Sequence, residues 1–204
     1  MHLDPSDEAL IGVAVGAFLA SLGGLLSGRI EQSLRRRERE QSAAQLFGEI
    51  LAALKLILRM SHDAHGRGDP FGPITLQILR AAQRETQIYD RNRETLFDLR
   101  DVKLRARTHL LLLQISLTVD AILEATKAIH DWMADDDRGI EGQPPRPRIT
   151  AAVAGRDASF DFLMELREEI PPLLSQYQTI ARQSFDAHED AVQQTLRGPA
   201  TATA

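Results

Sequence analysis

The chain has 204 residues, 43% of them hydrophobic, a formal net charge of −5 and no cysteine. That length suits one domain, or one domain with an appendage, and the apolar content is enough for a core, which excludes general disorder. The missing cysteines exclude disulfides, thiolate nucleophiles and cysteine-bearing metal sites, and the mild acidity excludes the strongly basic profile of a dedicated nucleic-acid binder.

Residues 1–8, "MHLDPSDE", are acidic and predict a short extracytoplasmic tail. Residues 9–28 carry no charge, and as a helix they extend about 30 Å, the thickness of a bilayer's hydrocarbon layer. They predict a retained transmembrane helix, because the acidic start opposes a cleaved signal peptide. Asp4, Asp7 and Glu8 precede this segment, while Arg29, Arg35, Arg36, Arg37 and Arg39 follow it. The positive-inside rule then puts the N-terminus outside and the body in the cytoplasm of a bacterial inner membrane. The same arginines are candidates for headgroup contact. Within the segment, Gly12, Gly16, Ala20, Gly24 and Gly28 recur at every fourth position. Such a stripe, a glycine zipper, lets backbones approach closely in lipid and predicts self-association. A four-residue step overshoots the helical turn by about 40°, so the stripe winds around the helix and suits a crossed dimer or a ring with two neighbours per helix.

Residues 29–65 predict a juxtamembrane and stalk helix, with Leu46, Phe47, Ile50, Leu51, Leu54, Ile57 and Leu58 at helical spacing. "GRGDPFGP" ends it. From Ile74 to Phe97 follows a polar helix, or two short ones, and Asp98 or Asp101 is the candidate cap for the next. Val102 to Met133 predicts the central core helix, and the run "HLLLLQISLTVDAIL" within it is too short, and too interrupted by Gln114 and Asp120, to span a bilayer. "ADDDRGIEGQPPRPR" reads as an exposed loop, and a last helical stretch from Thr150 to Leu196 is kinked or split at Pro171 and Pro172. Residues 197–204 read as a flexible tail. The fold class is therefore all-α: a transmembrane helix continuing into an up-down bundle of three or four long helices, formed by residues 74–196 and completed by residues 40–65.

"IYDRNRETLFDLRDVKLRARTHLLLLQ" resembles a stretch of uncharacterised bacterial proteins with one N-terminal transmembrane helix and an α-helical cytoplasmic domain. There a tyrosine-anchored turn precedes a short leucine-containing break and the main core helix. The resemblance implies the architecture and no activity.

Candidate chemistry is sparse. Arg59 with His65, and Arg182 with His188, have the spacing of the arginine–histidine pair in HEPN-type nucleases. About two such pairs arise by chance in this composition, so RNA binding or cleavage by a membrane-tethered body is the alternative. His62 and His65 sit near Asp63 and Asp69 as a conceivable metal corner, outweighed by the commoner surface histidines. No catalytic residue, metal or cofactor is assigned. The reading is a membrane component that acts as a scaffold, a binder of a cytoplasmic protein partner or a pore-former. Its partners are the lipid bilayer and copies of itself, with nucleic acid secondary.

Overall fold

The computed structural model describes the backbone of residues 5–68, 70–137 and 146–185, and the side chains of residues 31–68, 70–134 and 147–185. All regular structure among them is helical. Helix α1 (Pro5–Gly66) is followed by α2 (Pro73–Asn92), a 3-10 turn (Arg93–Asp98), α3 (Val102–Asp137), α4 (Arg146–Glu168) and α5 (Ile170–Ala181).

Several helix ends carry identifiable chemistry. Gly68 adopts φ +93°, a left-handed conformation that ends the α1 direction. Pro73 then opens α2 at a position where its missing N–H costs nothing. Between them Phe71 holds φ 61°, an unusual conformation for a bulky residue, yet it is buried against His65 and Phe160. A strain of about 1 kcal/mol is smaller than the ~2–3 kcal/mol gained by burying an aromatic ring, so the turn is held by its anchor. Asp101 caps α3: its Oδ1 accepts from the Lys103 and Leu104 N–H groups at 2.8 and 3.1 Å. Pro171 and Pro172 lie in the first turn of α5 and separate it from α4 at Glu169.

The helices form a bundle. α1 packs on α2 and α5 and touches α4; α3 packs on α2 and α4. Gln41 and Gln45 of α1 bond to Ala181 and Gln183, whereas His65, at the other end of α1, stacks on Phe160. α2 meets α3 through Gln83 with Asp120 and Tyr89 with His109. The core gathers Phe47, Leu51, Leu54, Leu79, Leu112, Ile115, Leu163 and Tyr177. Thr118 and Thr126 are buried without loss, since their hydroxyls donate to the carbonyls of Gln114 and Ile122 one turn earlier.

Four expectations change. The most enclosed element is the 43–58 stretch of α1, buried at Ala43, Ala44, Phe47, Ile50, Leu51, Leu54 and Leu58, rather than α3. α3 is also longer than its apolar run. It reaches Asp137, and Val102–Ala134 is the one helix among the described residues long and apolar enough to cross a membrane by length and composition. The supposed loop is helical at both ends, since α3 takes in residues 134–137 and α4 begins at Arg146. Among the described residues the last helix stops at Ala181, where Arg182 turns left-handed at φ 57° and its N–H donates to the Gln178 carbonyl; residues 186–196 of the expected stretch lie outside the described residues.

Candidate functional site

Two surfaces depart from what a solvated bundle needs. The first lies on α3. Leu104, Leu111, Leu112, Ile115, Val119 and Ile122 point into the core, and steps of three and four residues put Val102, Ala106, Leu110, Leu113, Leu117 and Ala121 on another face. These are exposed, Leu117 at 61% and Leu110 at 55%. The strip is about 28 Å long at the helical rise. Asp120, at its edge, is turned aside by accepting from Gln83 Nε2 at 2.7 Å. An outward helix face of this composition is unusual, because the face opposite a core is normally polar.

The second surface is at the end of the bundle where α1 enters it. Phe97, in the 3-10 turn, is 75% exposed, and Val102 beside it 64%. Around Phe97 lie clefts of about 640 and 530 Å³. Six arginines line them: Arg35, Arg36 and Arg39 from α1, Arg93 from the turn, Arg100 from the link after it and Arg105 from α3. Only Glu31, Glu94 and Asp98 oppose them in the lining. Arg105 places its guanidinium 5.7 Å from the Phe97 ring centroid. Arg100 ties the turn to α1, pairing with Glu40 at 3.1 Å while its backbone N–H donates to the same carboxylate at 3.0 Å.

Of the residues singled out in the sequence, Arg35, Arg36, Arg37 and Arg39 are all exposed on α1, and Arg35 pairs with Glu31 at 2.6 Å. Gly12, Gly16, Ala20, Gly24, Gly28 and Arg29 lie outside the residues whose side chains are described. His65 is half-buried, stacked on Phe160 at 4.2 Å between ring centroids with Phe71 edge-on at 5.0 Å. The Arg156 guanidinium lies over the Phe71 ring, 3.8 Å from its centroid. Arg59, the candidate partner of His65, is exposed about 120° away from it around α1. Arg182 caps α5 beside the Gln45 level of α1, roughly 20 Å along the helix from Arg59; His188 lies outside the described residues. Arg59 thus stands apart from both His65 and Arg182. Among the described residues, no three His, Asp or Glu side chains gather where a metal would need them.

Phe97, Arg100, Arg105 and the outer leucines of α3 were not legible as site residues. Their only sequence signal is an excess of apolar positions around α3, more than one buried face can use.

Two tyrosines hold polar links inside the bundle. The Tyr177 hydroxyl lies 2.8 Å from Thr108 Oγ1, and Tyr89 bonds to His109 Nδ1. Burial pushes both phenols up from the usual tyrosine value, partly offset at Tyr177 by the Thr108 hydrogen bond and at Tyr89 by Arg93. Each phenol thus links its own helix to α3.

Compared with protein-family models, with curated proteins and with solved structures, the chain matches none.

Proposed function

We propose that this chain is a single-pass bacterial inner-membrane protein whose cytoplasmic up-down bundle assembles with further copies into a non-enzymatic scaffold or partner-binding platform. Residues 9–28 cross the bilayer, with the N-terminus outside. The observation that carries the assembly is the exposed apolar strip of α3 from Val102 to Ala121. An apolar patch of this kind, rimmed by polar residues, is what an interaction surface requires and what a freely solvated body avoids.

The anchor restricts how strips meet. Copies inserted in one membrane share an orientation, so a two-fold axis must stand along the membrane normal, and the two α3 helices pack side by side and parallel. Confinement also raises the effective concentration, so a strip too small to hold a dimer in dilute solution suffices at the membrane. In lipid, the stripe of Gly12, Gly16, Ala20, Gly24 and Gly28 adds close backbone contact. If each helix meets two neighbours the assembly closes as a ring, and pore formation is the further step; dye leakage on expression tests it.

The chain has no native cysteine, which makes single-cysteine crosslinking clean. In native membranes, Leu113→Cys and Leu117→Cys are expected to form disulfide-linked dimers of like positions. Ile74→Cys, exposed on α2 outside the strip, is expected to stay monomeric. Equal crosslinking at position 74, or none at 113 and 117, removes the α3 interface.

A further inference from the structure

We propose that the end of the bundle around Phe97 is a membrane-docking foot that seats an exposed aromatic ring and a ring of arginines on the phosphate-bearing headgroups of anionic lipid. This rests on the reading of residues 9–28 as a span. It goes beyond it by assigning a lipid-binding role to residues of the 3-10 turn and the start of α3, some 60 positions further along the chain.

Height, shape and charge support the foot. Phe97 shares its clefts with Gln32 and Arg36, which stand about 6 and 12 Å along α1 from the end of the uncharged segment. The headgroup layer is roughly 5–8 Å deep on each side of the hydrocarbon. Helical side chains lean toward the N-terminus, which here is toward the membrane, so Arg35 and Arg36 reach down into that layer and Arg39 stands just above it. An aromatic ring flanked by long cationic side chains is the composition that interfacial segments use: the ring inserts at the acyl boundary while the guanidinium groups bind phosphate, bidentately where geometry allows. Phe97 at 75% and Val102 at 64% exposure have no core to serve, and Arg36 and Arg39 make no ion pair among the described residues. The Arg100–Glu40 pair, with its second bond from the Arg100 N–H, fixes the turn to α1, so foot and anchor move as one piece.

Depth-dependent fluorescence quenching in nanodiscs tests this with the full chain. With Trp132→Phe as background, one variant carries Phe97→Trp and another Phe18→Trp within the span. Discs are either zwitterionic or contain roughly one third anionic phosphatidylglycerol, with bromine labels near the headgroup or mid-chain. The foot predicts quenching at position 97 by the shallow label in anionic discs and its loss in zwitterionic ones. Each cation near an anionic surface is worth roughly one kcal/mol, so Arg36→Gln with Arg39→Gln lowers the docked-to-undocked ratio about 30-fold. Position 18 is expected to respond to the deep label throughout. Silence at 97 with a response at 18 overturns the foot and leaves the span; silence at both overturns both. A response at 97 alone supports the foot and overturns the span. Quenching at 97 that ignores lipid charge and the arginine variants overturns the anionic recognition. Phe97 is too exposed for its replacement to unfold the core, and circular dichroism checks this.

Discussion

Tyr177 is where a single side chain does most to join separate parts of the sequence. Its ring packs 6.3 Å from Phe47 and its hydroxyl meets Thr108, so α5, α1 and α3 converge on one residue. Burial raises its pKa, as it does that of Tyr89. The folded state therefore resists losing these protons, whereas the unfolded chain releases them near the ordinary value of 10.0. The stabilisation is complete below that pH and is lost as pH climbs above it toward the folded values. Urea midpoints measured from neutral pH upward should hold steady to about pH 10 and then fall. Tyr177→Phe should cost about 1 kcal/mol at neutral pH, the net worth of a buried hydrogen bond, and flatten the alkaline fall. An unchanged slope in that variant would assign the pH dependence elsewhere.

Among the elements, α1 shows how one sequence pattern serves different ends. Its 43–58 stretch is apolar on several sides because α2, α4 and α5 all lie against it. Where α1 must admit a ring, it uses glycine: a Cβ at Gly48 would lie 2.1 Å from Phe185. Gly48→Ala should therefore displace Phe185 and destabilise the bundle by about 1–3 kcal/mol, the usual cost of overpacking, read from the thermal midpoint. Phe185→Ala in the same background should remove most of the added penalty, because the clash then has no partner.

The helices themselves were readable from periodicity. The first-turn prolines of α2 and α5 and the Asp101 cap fall where their chemistry places them. What periodicity missed was partnership. "HLLLLQISL" reads as a core helix because leucine looks the same whether it faces a neighbour or water, and only the positions of α2 and α4 decide that Leu110, Leu113 and Leu117 are left outside. The extent of the final helix was missed for another reason. Arg182 in a left-handed conformation ends α5, and nothing in an arginine announces that backbone state.

At the scale of the molecule, the two surfaces have complementary positions. The basic foot lies where α1 enters the bundle, and the apolar strip starts beside it at Val102 and runs along α3 away from that end. A body seated on the membrane through the foot would present its strip upright, facing the strips of neighbouring copies. Charges placed on it should disrupt assembly without unfolding the subunit, because Leu113 and Leu117 are outside the core. The most direct measurement is the mass of the full chain after mild detergent extraction from its membrane, by sedimentation with the bound detergent accounted for. The account predicts a defined multiple of the 22.7 kDa subunit, reduced toward a single subunit by Leu113→Glu with Leu117→Glu together with Gly16→Leu and Gly24→Leu. A chain recovered without detergent, sedimenting as one 22.7 kDa subunit, would contradict it.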